Sequence, residues 1–271
     1  MLEPWCRGRG AHNFRRALAA KEPIPGDDLG PNHPFKPSFL WDAVASLTRF
    51  PVAGVLWYQG ESNAESAWRV VQHDALIESL ITDWRAQWNR PTLPFLFVQL
   101  PAMKRPHWSA FRASQQSSHD SLPHTGMAVT RDLGHPTDVH PRDKKPVGER
   151  LALIAEKEVC GQAVTASGPV VNTIRRKDDG VIVKFDSADG LKTRDGQAPS
   201  GFELLGQDGE WMPAEARIDG KSIRLKCRAA AKPTAVRYGW VPFPEPRLNL
   251  INAADLPASP FFKPMKRTIK E

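Results

Sequence analysis

Two short strings hold the residues best suited to acyl chemistry. The first is Trp57-Tyr58-Gln59-Gly60-Glu61-Ser62-Asn63-Ala64. At a strand-to-helix turn, a glycine flanked by amide side chains can aim N–H donors into a cleft. Such donors suit the oxyanion of an acyl-transfer transition state. The same residues also suit a helix cap, with Ser62 or Asn63 at the N-cap. The second string is Arg131-Asp132-Leu133-Gly134-His135-Pro136-Thr137-Asp138-Val139-His140-Pro141. A His near a carboxylate can serve as a general base with an orienting partner. His135, Asp138 and His140 also form a mixed nitrogen and oxygen set, but their spacing matches no defined metal motif, so no metal is expected. Between the two strings, Met103, His107 and Trp108 suit either a sugar-lining loop or plain surface.

Chemistry of this kind needs elements that end on one side of a sheet. Val52–Tyr58 is a short apolar run rich in β-formers and reads as a buried strand. A long helix follows, with Trp68, Val71, Ile77, Leu80, Ile81, Trp84 and Trp88 near helical spacing, ended by Pro91. Phe95–Leu100 and Met127–Thr130 read as further strands, with a short helix over Ser109–Ser118 between them. Pro146 opens a helix carrying Val147, Leu151, Ile154 and Ala155. A preceding helix is expected from Ser38, through Phe39, Leu40, Ala43, Val44 and Leu47. This alternation predicts a parallel sheet covered on both faces. Ligands of such sheets bind beyond the carboxyl ends of the strands, where both strings fall. Three strands are few for this architecture.

Residues 1–37 read as an irregular segment broken by prolines and glycines, and 38–165 as the α/β domain. Beyond it, 166–271 carries short β-rich runs separated by Asp179-Gly180, Asp208-Gly209 and Asp219-Gly220. These are hairpin dipeptides, so this part reads as a small antiparallel β domain with a tail.

The chain has 271 residues with 41% hydrophobic and 25% charged residues, the balance of a folded globular protein. Its net charge is +7, but the basic residues are dispersed among acids, so nucleic acid is not expected as a partner. No run approaches the roughly 18–20 apolar residues of a membrane span. Met1–Arg16 has no apolar core of the signal-peptide kind. Cys6, Cys160 and Cys227 form no paired motif.

Taken in order, the strings resemble the sialate O-acetylesterase family of the SGNH-hydrolase superfamily. Gly54-Val55-Leu56-Trp57-Tyr58-Gln59-Gly60-Glu61-Ser62-Asn63-Ala64 is nearly that family's signature. Gly126–Thr130, Asp138–Lys144 and Val147–Ala152 are similar to its late catalytic block. Val236–Trp240, Asn249-Leu250 and Leu256–Phe261 are similar to its tail. The resemblance implies a three-layer α/β/α sandwich with an accessory β-sandwich-like domain. It implies hydrolysis of acetyl esters on sugars, typically sialic acid, by a serine nucleophile and a His base without a cofactor. An esterase for acetylated xylan-type polysaccharide, or a carbohydrate-binding fragment without turnover, fits the same strings.

By that match His140 is the base and Asp138 its orienting acid. The superfamily usually places the acid three residues before the His, which is Thr137 here, so Asp132 or a backbone carbonyl remains open. Gln59, Gly60, Glu61 and Asn63 match the oxyanion and substrate loop. The family's nucleophile lies in an early Gly-Gln-Ser-Asn string, and no Gly-Gln-Ser, Gly-Asp-Ser or Gly-x-Ser-x-Gly occurs in this chain. The expectation is an incomplete sheet, with the serine on a missing N-terminal segment or a complementary chain. Full-length members of the family are usually exported.

Overall fold

A computed structural model describes residues 44–177, 180–227, 230 and 232–265. The irregular segment 1–37 and the start of the helix expected from Ser38 lie outside these residues. Of that helix, Val44 and Ala45 are helical, and the chain then turns through Phe50.

The α/β unit alternates β1 (Val55–Trp57), α1 (Ala67–Gln87), β2 (Phe95–Val98), α2 (Trp108–Ser121), β3 (Thr125–Ala128) and α3 (Lys145–Glu158). The three strands are parallel in the order β1-β2-β3. Every residue of Phe95–Val98 is buried, which is why β2 is a continuous apolar run and not an alternating one. Strand alternation splits that run between two helical layers. Phe95 packs with Ile77 and Ile81 of α1, and the Phe97 ring meets His119 of α2. Leu96 and Val98 pack with Val147, Leu151 and Ile154 of α3 on the opposite face. The layers are therefore α/β/α, as expected.

Helix ends differ in detail from the expectation. The N-cap of α1 is Ser66, not Ser62 or Asn63, and Asn63–Glu65 forms a separate 3-10 turn. At the other end, Arg85 donates to the carbonyls of Leu93 and Pro123, tying the helix to the starts of β2 and β3.

The second unit folds around its own core of Val181, Val183, Phe185, Phe202, Leu204, Ile223, Leu225, Val236, Tyr238 and Phe261. One four-stranded sheet has the order β4 (Val170–Lys177), β5 (Gly180–Asp186), β10 (Ser222–Lys226), β9 (Glu215–Asp219). The other runs β13 (Phe261–Pro264), β11 (Ala235–Tyr238), β7 (Phe202–Leu205), β8 (Trp211–Pro213). All pairings within both sheets are antiparallel. Two short strands, β6 (Lys192–Thr193) and β12 (Leu250–Ile251), pair separately. Gly209 and Gly220 turn two of the hairpins at φ of 86° and 59°, which a side chain rarely adopts. Strands β6, β8, β9, β12 and β13 were not evident in the sequence, being short or of polar composition.

The two units are joined by buried and half-buried polar contacts. Asp132 accepts two 2.7 Å hydrogen bonds from Arg150 of α3 and one of 3.1 Å from Arg194 of the β unit. Arg112 of α2 donates to the carbonyl of Val241 at 2.7 Å, and Arg247 donates to those of Leu133 and Gly134.

Candidate active site

Parallel pairing sets Trp57 beside Phe97 and Phe97 beside Met127. The chain therefore leaves β1, β2 and β3 on one edge, and three loops meet there: Tyr58–Ala64, Gln99–His107 and Val129–Pro141.

The middle loop is the most firmly fixed. Gln115 of α2 accepts from the Leu100 N–H at 2.8 Å and donates to the Val98 carbonyl at 3.0 Å, standing in for a strand neighbour. The Trp108 indole donates to the Pro101 carbonyl at 2.6 Å. The third loop is stitched to the second: Ala102 N–H donates to Leu133 O at 2.9 Å and Lys104 N–H to Pro136 O at 3.0 Å. Gly134 permits this approach. At φ 102°, a Cβ there would lie 2.2 Å from the Ala102 carbonyl oxygen.

The first loop is fixed by two contacts. Gly60 sits against the Phe111 ring at φ 144°, where a Cβ would come within 2.3 Å of the ring. Arg105 of the middle loop pairs with Glu65 at 2.6 Å. Gln59 Nε2 donates to Asn63 Oδ1 at 2.8 Å. That bond fixes the Asn63 amide, so its two N–H donors point away from Gln59.

What brings the first and third loops together is a packed cluster, not a hydrogen bond. Ala64, Met103, Trp108 and Phe111 form it with Leu100 and Val70, and both Tyr58 and Val139 pack against it. Val139 lies between Asp138 and His140 and is half-buried against this cluster, while Asp138 and His140 are exposed. Lys144, just before α3, adds a second tie. Its Nζ donates to the Tyr58 hydroxyl at 3.2 Å and lies 4.4 Å from the ring centroid. Burial, with the negative charge of Glu61, pushes the Tyr58 phenol up to about 12, so it stays a neutral hydroxyl.

Sequence-derived candidates thus fall on two adjoining loops: Gln59, Gly60, Glu61 and Asn63 on one, Asp138 and His140 on the other. The detail of the second pair is unexpected. Asp138 Oδ1 accepts from the backbone N–H of His140 at 2.8 Å, closing a turn instead of meeting the ring. Asp132, the other acid considered, is committed to Arg150 and Arg194. Burial raises its pKa, but the hydrogen bonds and charges of those two arginines outweigh burial and hold it below the usual carboxylate range. His135 is used locally: its Nδ1 accepts from the backbone N–H of Asp138 at 3.0 Å. A cleft of about 530 Å³ opens beside this loop, lined by His135, Asp138, Arg142 and Arg247 among others.

A Ser–His contact does exist, elsewhere. Ser114 Oγ lies 2.9 Å from His73 Nδ1 and donates to Asp74 at 2.7 Å. A serine whose single proton is given to a carboxylate can only accept from the imidazole, the reverse of a nucleophile–base pair. Ser118 also donates to Asp74 at 2.7 Å, so this cluster clamps α1 to α2. Sequence alone gave no signal for it, because its members lie on two helices about 40 positions apart. Ser62 is exposed on the first loop and Ser109 is buried.

Residues 37–155 match the family described as carbohydrate esterase, sialic acid-specific acetylesterase. The chain is 28% identical to the sialate O-acetylesterase of Mus musculus over 241 residues, covering 78% of this chain and 44% of that protein. It is 26% identical to the sialate O-acetylesterase of Homo sapiens over 275 residues, covering 90% of this chain and 50% of that protein. The chain thus spans about half the length of the curated relatives it matches. A crystal structure of a carbohydrate acetylesterase from Xanthomonas citri superposes with a TM-score of 0.80 at 35% identity, covering 94% of this chain and 65% of that one. A three-layer α/β/α unit with two loops meeting at the carboxyl edge of its sheet accords with these likenesses, and residues 37–155 are similar to the carbohydrate esterase family of sialic acid-specific acetylesterases.

Proposed function

We propose that this chain carries the base and oxyanion half of a carbohydrate O-acetylesterase acting on O-acetylated sugars, sialic acid first among them. The observation that supports the reading is the packing of both Tyr58 and Val139 against one cluster, which brings the loop of Gln59–Asn63 and the loop of His140 to the same edge of the sheet. In this reading His140 takes the proton from an attacking serine and passes it to the departing sugar oxygen, then takes a proton from the deacylating water and returns it to the serine as acetate leaves. The Gly60 N–H and the Asn63 amide donate to the tetrahedral oxyanion, Gln59 holding that amide in place. Asp138 acts through the backbone turn that aims His140. Glu61 braces the loop.

The serine itself comes from outside the described residues, on preceding sequence or a complementary chain. Among the described residues β1 is an edge strand, its central Leu56 is 64% exposed, and it lies directly before the Gln59–Asn63 turn. An apolar open edge is a ready acceptor for another strand. A second reading places the acetyl group on a polysaccharide of the xylan type, since the Xanthomonas citri neighbour is described as a carbohydrate acetylesterase with no particular sugar specified.

The test is acetate release from O-acetylated sialic acid and from acetylated xylo-oligosaccharide, with fluorophosphonate labelling mapped by mass spectrometry. The expected result is no label and no release from this chain alone, with release when a nucleophile-bearing segment is supplied. A labelled internal serine with turnover would overturn the split-site reading. No release in the supplemented reaction would overturn the esterase reading.

A further inference from the structure

A second cleft lies between the units, away from the acyl-transfer loops. It has a volume of about 440 Å³ and runs between α2 on one side and, on the other, the start of β4, Trp240 and the Ser259–Lys263 stretch that leads into β13. That volume is within the roughly 300–1,000 Å³ of small-ligand sites. No residue of Tyr58–Ala64 or Val129–Pro141 lines it.

Its sheet-side wall is aromatic for a reason visible in the strands. Phe261 and Tyr238 point inward to the core, so their neighbours Phe262 and Arg237 point outward, directly opposite one another in the register. Phe262 is 46% exposed, high for a phenylalanine flanked by two tryptophans. Its ring centroid lies 5.9 Å from that of Trp240 and 5.8 Å from that of Trp211. Arg237 holds the group rigid: its guanidinium is 4.2 Å from the Trp211 ring centroid and bonds both Glu203 oxygens at 2.7 and 2.8 Å. Trp240 and Phe262 face the cleft, and Lys263 stands beside them.

The helix-side wall is polar. Gln116 Nε2 donates to Asp120 Oδ1 at 2.8 Å, which fixes an exposed carboxylate on the rim, with Ser117 next to it. Flat aromatic rings on one wall and a carboxylate, a hydroxyl and an ammonium on the others complement one chemical class closely. A pyranose presents an apolar C–H face and a rim of hydroxyls that both donate and accept. We propose that this cleft is a second carbohydrate site, holding a neutral saccharide unit stacked on Trp240 and Phe262 and hydrogen-bonded to Asp120. It shares with the proposed function only the class of ligand and stands on separate residues.

The test is isothermal titration of the intact chain with xylohexaose, with 3′-sialyllactose in parallel. The expected result is saturable binding of the neutral hexamer that weakens at least roughly tenfold in Trp240→Ala, the scale of losing one stacked aromatic. Binding is expected to be unchanged in His140→Ala. Asp120→Ala, a change at an exposed helical position, serves as a second variant that leaves the sheet intact, and should weaken binding severalfold. No binding by the wild-type chain, binding unchanged in both Trp240→Ala and Asp120→Ala, or binding lost in His140→Ala would overturn the proposal. Acetate release reads the other site, so failure of one reading leaves the other standing.

Discussion

Asp132 of the α/β unit and Arg194 of the β unit meet at 3.1 Å across the junction of the two units. The carboxylate is only 4% exposed and is held on its other side by Arg150 at 2.7 Å. Removing the charge leaves two guanidinium groups facing each other without their counterion. Asp132→Asn should therefore cost about 3 kcal/mol, measured by urea unfolding. Arg194→Ala, at a side chain 40% exposed, should cost less than about 1 kcal/mol. Equal losses from the two would sink this account. The Asp132 pKa is depressed in the folded protein, so its contribution is present above the ordinary carboxylate value and fades as pH falls through the folded value. The wild type should thus lose its advantage over Asp132→Asn only in acid.

Asp138 bonds the backbone of His140, not its ring. An asparagine keeps an acceptor at that atom. Asp138→Asn should accordingly keep acetate release within about tenfold of the parent in the active form, whereas Asp138→Ala should fall further. A carboxylate whose charge orients the imidazole behaves differently, its asparagine variant dropping by about 10⁴. Steady-state kinetics on the two variants separate the roles.

Gly60 occupies a conformation that disfavours a side chain and leaves no room for one beside Phe111. Gly60→Ala should destabilise the chain by about 2–4 kcal/mol, from strain and overpacking together. Combining it with Phe111→Leu should cost less than the sum of the single changes, because the ring edge is what the methyl strikes. Strict additivity in thermal melts would contradict that contact.

Arg131 is fully enclosed, and among the described residues its three guanidinium nitrogens have no hydrogen-bond acceptor. It lies over the Tyr238 ring, 5.3 Å from the centroid. Burial lowers its pKa to about 10, so the folded protein gives up that proton more readily than the unfolded chain. The destabilisation is complete below the folded value and shrinks as pH rises from about 10 toward the ordinary arginine range. Arg131→Met should raise stability by about 1–3 kcal/mol at pH 7. The gain should narrow above pH 10 in denaturant titrations. A loss of stability at pH 7 would show that stacking on Tyr238 outweighs the buried charge.

Much of the α/β unit was legible because its signals are local. Phe95–Val98 is a contiguous apolar run, Pro146 marks a helix start, and the Gln59–Asn63 turn is one unbroken string whose members contact each other four positions apart. Local order along the chain also placed both loops at the carboxyl edge of a parallel sheet, since each follows a strand.

What the chain order could not decide is which distant groups meet. Asp132 could serve a histidine eight positions on or an arginine 62 positions on, and only packing of the β unit against α3 chose the arginine. The Ser114–Asp74 clamp depends on the rotation of two helices about their axes, and the Trp240–Phe262 wall on the register of β11 with its neighbours. Such choices turn on burial and on which polar groups lose water together, and those energies exist only once the elements have packed.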